Sequence, residues 1–185
     1  MNILFITLIK INSLEDIEKR LKQGADKISL NTEAIIDPNF ISIAAKEFGS
    51  QCIVISIDAK KNKENYYVYN NKLSSLSRIK VLEFSKIIED MGAGEILLNS
   101  VDQDGMGRGY DLNLIKLVSN SVKIPVIACG GVGDWPHFQE AFEETKTDAV
   151  AAANIFHYRD QSVYLAKKYL YENNSNVRKP DLLKV

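Results

Sequence analysis

Four short stretches of the chain carry residues that could do chemistry. Asp58 ends the apolar run CIVISID and is followed by Ala59 and Lys60. An acid at the C-terminal end of a buried strand points into the mouth of an α/β sheet or barrel, where proton-transfer groups collect. A helix cap or an ion pair with Lys60 is the plainer reading of the same residue. Asp102 and Asp104 lie in LLNSVDQDGMGRGYD, a glycine-rich loop just past another apolar run. One of that pair can serve a site while the other serves only the turn. ACGGVGD, residues 128–134, stands between a strand and a helix. Backbone N–H groups of such a turn can wrap an anionic oxygen, because glycine lets the backbone approach and a helix N-terminus favours negative charge. A turn that merely needs positive φ would select the same glycines. The next apolar run ends in Ala152-Ala153-Asn154, small residues that leave room beside the cradle.

Two further charges sit at the other ends of such runs. Lys27 begins KISL and Glu95 begins EILL. If they face each other inside a barrel they form a polar ring on its axis; a solvated edge or a structural ion pair is the alternative. The two histidines, His137 and His157, show no HxH or HExxH spacing, so neither a metal site nor a cofactor is expected. Cys52 and Cys129 form no CxxC and read as reduced thiols in strand-like surroundings, consistent with a cytoplasmic protein.

The elements that must position these residues repeat with a regular rhythm. Apolar, β-branched runs at 3–9, 26–30, 52–58, 95–99, 124–129 and 148–152 alternate with amphipathic segments at 13–22, 38–48, 79–91, 111–121, 134–145 and 160–172. Continuously apolar strands indicate burial on both faces, as in a parallel sheet. Six βα units in a row give an α/β protein, doubly wound or barrel, read as one domain over residues 1–185. Ser13 with Asp16 has capping-box spacing, and Asp37-Pro38 and Asp134-Trp135-Pro136 place a cap and a proline at helix starts. Residues 61–78, with an alternating YYVY, predict an excursion or small hairpin after the third strand.

Composition narrows the function classes. Net charge is −1, with no basic excess to neutralise nucleic-acid phosphates. No apolar run approaches the ~18 residues of a membrane span. The apolar start lacks a basic region and a cleavage site and reads as a strand rather than a signal peptide. There is also an internal repeat: FITLIKINSLEDIEKRLKQGADKISLNT overlays VIACGGVGDWPHFQEAFEETKTDAVAAAN with one residue inserted. Asp26 then falls on Asp148, and Leu8-Ile9-Lys10 falls on Cys129-Gly130-Gly131.

Taken together, GADKISLNTEAI, FGSQCIVISIDAK, GAGEILLNSVDQDGMGRGYDLNLI, IPVIACGGVG and IFHY resemble the cyclase subunit of imidazole glycerol phosphate synthase, the HisF family. The resemblance implies a TIM-barrel lineage, an incomplete (βα)8 barrel with about six βα units. It implies a cyclase that takes ammonia from a glutaminase partner and acts on a phosphorylated ribulosyl intermediate of histidine biosynthesis. By motif, Asp58 would be a catalytic acid/base and Asp104 the acidic residue of the substrate loop. Asn31 and Thr32 would form one phosphate site, and Gly130, Gly131, Ala153 and Asn154 the other, with Asn154 where the family often has serine. Lys27 and Glu95 would belong to the ammonia gate, and Asp26 to the glutaminase interface.

The chain departs from the family at its start. Two βα units, with a second catalytic aspartate and two gate charges, have no counterpart, and Leu8-Ile9-Lys10 replaces a triple glycine. By the resemblance, six strands would not close an eight-stranded barrel, and the exposed edges are then expected to be covered by dimerisation, a partner or rearrangement. Two other roles share the motifs: a HisF-like amidotransferase partner in surface-polysaccharide sugar biosynthesis, and a non-catalytic protein that only docks a glutaminase. The sister isomerase of the pathway fits ADKISLNT less well.

Overall fold

The expected rhythm of strands and helices is realised in a computed structural model that describes residues 6–7, 11–158 and 163–180. In chain order the elements are β1 (Ile6–Thr7), α1 (Leu14–Lys22), β2 (Lys27–Leu30), α2 (Thr32–Ile36), α3 (Asn39–Phe48), a 3-10 turn (Ser50–Cys52) and β3 (Ile53–Asn62). There follow β4 (Asn65–Asn70), β5 (Ser75–Lys80), α4 (Val81–Asp90), β6 (Glu95–Ser100), α5 (Leu112–Ser119), β7 (Val126–Cys129), α6 (Pro136–Glu144), β8 (Ala149–Val150), α7 (Ile155–Tyr158) and α8 (Val163–Glu172). The turn Leu8-Ile9-Lys10 lies outside the described residues.

Strand order decides between the two α/β architectures. β1, β2, β3, β6, β7 and β8 stand side by side in that order, each parallel to the next. A doubly wound sheet reverses its order at a switch point. Here each crossover leads to the adjacent strand without reversal, which is barrel winding and the TIM-barrel lineage. Among the described residues β1 and β8 are the two ends of the sheet, each paired on one side. Burial explains why the strands read as unbroken apolar runs. Ile53, Val54 and Ile55 are all 0% exposed, so β3 is covered on both faces. Ile17, Ile41, Phe84, Ile88, Leu114, Val118 and Phe138 supply helix faces of the same core.

The helix starts largely follow the predicted chemistry. The Asp16 N–H donates to Ser13 Oγ (3.2 Å), and Asp16 Oδ2 reaches back to the Asn12 N–H (3.0 Å), a capping box displaced by one residue. Asp37 Oδ1 accepts from the Asn39 N–H (3.0 Å). At α6 the cap differs from expectation. Asp134 Oδ1 accepts from its neighbour, the Trp135 N–H (2.8 Å). His137 Nδ1 instead bends back and accepts from the N–H groups of Gly133 (3.1 Å) and Asp134 (3.2 Å). A histidine inside the first turn can reach back to those two donors, one of which is the backbone N–H of Asp134 itself.

The predicted excursion is an antiparallel ribbon. β3 runs past Asp58 to Asn62, β4 returns along it from Asn65, and β5 pairs with β4. The internal repeat is exact in strand register. Ile6 pairs with Lys27 and Thr7 with Ile28, while Ile127 pairs with Ala149 and Ala128 with Val150, which are the overlaid positions. Each repeat also ends in a short helix, α2 after β2 and α7 after β8.

Candidate functional site

Asp58 sits where β3 leaves the core. It is 8% exposed, and parallel pairing with β6 sets Asn99 directly opposite it. Three carboxamides converge on its carboxylate. Asn31, just past β2, donates Nδ2 to Oδ2 (3.0 Å), Asn71 of the β4–β5 turn donates to the same oxygen (2.5 Å), and Asn99 donates to Oδ1 (2.9 Å). The ion pair with Lys60 is not formed: the Lys60 ammonium lies over the Tyr69 ring, 5.3 Å from its centroid. Asn31 Nδ2 also donates to the Ser56 carbonyl (3.0 Å), so the β2 end is laced to β3 at this point.

Around Asp58 opens a cleft of about 590 Å³ at the C-terminal ends of the strands, lined by Asn31, Thr32, Asn71, Asn99, Asp104, Cys129 and Ala153 among others. The loop after β6 separates its two acids. Asp104 is exposed and faces this cleft, its N–H held by the Ser100 carbonyl (2.9 Å). Asp102 turns the other way and accepts the Lys61 N–H (2.7 Å), tying the loop to the ribbon. On that side a second cleft, about 640 Å³, is bordered by Lys61, Lys63, Tyr66, Asp102 and Asp111. Tyr66 donates its hydroxyl to Asp111 Oδ1 (2.9 Å), the oxygen that also caps α5 through the Leu114 N–H (3.0 Å).

Cys129 joins the site from β7. Burial pushes its thiol above the ordinary range, and the nearby Asp104 and Asp58 charges push it further, against a smaller opposing hydrogen bond from the Gly130 backbone. It is a neutral wall of the cleft at neutral pH.

The residues read as phosphate ligands divide. Asn31, Thr32 and Ala153 line the cleft, whereas Gly130, Gly131 and Asn154 stand beside it. Gly130 and Gly131 do adopt positive φ, +86° and +110°. Their close approach is to the chain's own loop. A Cβ on Gly131 would lie 2.1 Å from the Gly109 carbonyl oxygen, and the Gly109 N–H donates to the Gly131 carbonyl (2.8 Å). Asn154 Nδ2 donates to the Gly105 carbonyl (3.4 Å) of the same loop. The ACGGVGD turn thus braces the loop that carries Asp104.

At the N-terminal ends of the strands, Lys27 of β2 and Glu95 of β6 form a direct ammonium–carboxylate pair, their side chains 16% and 20% exposed. Asp26 is exposed beside them. Asn71, Asn99 and Cys129 were missed as functional residues in the sequence. Asn99 was findable: it ends the run EILLN just as Asp58 ends CIVISID, and the two strand ends are register partners. Asn71 had no such mark, because only the folded ribbon carries it to Asp58.

Comparison with known proteins places this geometry. The family model described as "Histidine biosynthesis protein" matches residues 11–162. The imidazole glycerol phosphate synthase subunit HisF of Hydrogenobaculum sp. (strain Y04AAS1) is 47% identical over 169 residues, covering 91% of this chain and 67% of that protein. The subunit of the same name from Geobacillus kaustophilus (strain HTA426) is 47% identical over 170 residues, covering 91% of this chain and 68% of its own length. A six-strand piece of barrel winding, a buried aspartate at a strand end and this degree of identity agree, and the chain belongs to the histidine biosynthesis protein family, in its HisF branch.

Proposed function

We propose that this chain acts as the cyclase subunit of imidazole glycerol phosphate synthase, combining ammonia with a phosphorylated ribulosyl substrate to give imidazole glycerol phosphate and an aminoimidazole carboxamide ribotide. The observation that carries the reading is one cleft, at the C-terminal ends of the strands, that holds both Asp58 and Asp104. Asp58 exchanges protons with substrate during ring closure and cleavage, since it is the buried carboxylate whose orientation is fixed by neighbours on three elements. Asp104, on a loop braced by the glycine turn, contacts the substrate from the opposite wall. Thr32, Asn31 and Ala153 take one or both phosphates, with Gly130, Gly131 and Asn154 supporting the second.

Ammonia enters from the other end. A glutaminase subunit docks on the face that presents Asp26, and the Lys27–Glu95 pair controls passage toward the cleft. No helix among the described residues is long and apolar enough to cross a membrane. The reading places the protein in the cytoplasm, as a single partial-barrel domain that requires no cofactor. The test is turnover of the ribulosyl substrate by the purified chain with ammonium salts as nitrogen source. Formation of both products supports the reading. Binding of a glutaminase without turnover, under any ammonium concentration, would instead assign a docking role alone.

A further inference from the structure

We propose that Asn71, at the turn of the β4–β5 ribbon, is a positioning residue that fixes which oxygen of Asp58 handles the proton, a statement that rests on the cyclase reading above. A carboxylate offers about four acceptor positions, two on each oxygen. Asn31 and Asn71 occupy both positions on Oδ2, at 3.0 and 2.5 Å, and Asn99 occupies one on Oδ1, at 2.9 Å. The position left over belongs to Oδ1. The proton leaves substrate for Oδ1, the O–H bond forming as the substrate's bond to that proton breaks, and the reverse step returns it to the same substrate.

Asn71 differs from its two companions in where it stands. Asn99 belongs to β6 of the parallel sheet, and Asn31 follows directly on β2 and is tied to β3 by its bond to the Ser56 carbonyl. Asn71 belongs to an antiparallel ribbon outside the parallel sheet, and its turn holds itself together through the Leu73 N–H on Asn70 Oδ1 (3.1 Å) and the Ser74 N–H on the Asn71 carbonyl (3.3 Å). Seating of the ribbon is therefore what delivers the third donor. With Asn71 withdrawn, Oδ2 regains an open position, the carboxylate presents two competing oxygens, and its rotamer is set by two bonds rather than three. Lys72, the next residue, lines the cleft as well, so a seated ribbon also closes one wall of the substrate's space.

The experiment combines turnover with a spectroscopic readout. In the ammonium-dependent assay, Asn71→Ala is expected to lower kcat about tenfold with KM changed less than twofold. Leu73→Ala in the same turn, where Leu73 is 68% exposed, should leave both constants unchanged. In ¹H–¹⁵N spectra the Asn71 side-chain carboxamide should shift when Asp58→Asn is introduced, reporting their contact whether or not the chain turns over. An unchanged kcat in Asn71→Ala, or an Asn71 carboxamide insensitive to Asp58→Asn, would overturn the proposal. Absence of turnover in the unsubstituted chain would refute the cyclase reading instead, and the resonance alone would then decide whether Asn71 holds Asp58.

Discussion

Lys27 and Glu95 meet across the N-terminal end of β3, although their strands are not neighbours in the sheet. β2 and β6 each pair with β3, and the long lysine side chain crosses the intervening strand to reach the carboxylate. Both side chains are mostly buried, so each charge depends on the other for solvation. Lys27→Met and Glu95→Leu should each destabilise the fold by about 1–3 kcal/mol in urea unfolding, because each leaves a charge unpaired. The double variant should lose less than the sum. Additive losses would show that the pair is not coupled.

The glycine turn can be tested without any ligand. Gly131→Ala places a methyl 2.1 Å from the Gly109 carbonyl oxygen at a φ of +110°, so backbone must move. Gly24 has a similar φ, +99°, with nothing within 4 Å of a Cβ. Gly24→Ala should lose about 1 kcal/mol, and Gly131→Ala at least about 2 kcal/mol more. Equal losses would mean that the packing of the 105–109 loop on this turn contributes nothing.

Cys129 reports on the charges of the cleft. Its raised thiol is little ionised near pH 7.5, so labelling by a disulfide reagent should be slower than that of a free thiol. Asp104→Asn removes one of the causes and should speed labelling at that pH. An unchanged rate in the variant would place Asp104 too far away to act on the thiol.

Two phenols set the alkaline limit. Burial, aided by the Asp111 hydrogen bond, raises Tyr66 beyond the ordinary phenol range, and burial raises Tyr110 likewise. The folded state then holds protons that the unfolded state releases above about pH 10. Their contribution to stability is complete below that pH and declines as pH rises toward the folded values. Absorbance titration should show at least two of the eight tyrosines resisting ionisation until the protein unfolds. Asp111→Asn should lower the pH at which Tyr66 ionises without returning it to the ordinary range, because burial, the larger cause, remains.

These tests fall where the sequence was least informative. Alternation of apolar runs with amphipathic segments was enough to find six parallel strands and their helices, because a strand covered on both faces, as β3 is at Ile53, Val54 and Ile55, leaves an apolar block. β6 and β7 keep apolar residues such as Leu97 and Ile127 at their partly covered positions as well. Neither α2 nor α7, of five and four residues, spans enough turns to show a helical period. Asp58 and Asp104 were legible from their places at strand ends. The division of labour between Asp102 and Asp104 was not, since a loop's side-chain directions depend on what it packs against. The same holds for Gly130 and Gly131, which any tight turn would select and whose neighbour proves to be the 105–109 loop. Asn71 lies 13 residues from Asp58, and the antiparallel return of β4 alone makes them neighbours.

The central claim is that Asp58 performs proton transfer in ring closure. It is tested most directly by ammonium-dependent turnover of the ribulosyl substrate by the intact chain and by Asp58→Asn, which keeps the side chain's shape. The expected result is formation of imidazole glycerol phosphate and the carboxamide ribotide in equal amounts, reduced at least about a hundredfold in kcat by the substitution. Turnover unchanged in Asp58→Asn, with both products still formed, would contradict it.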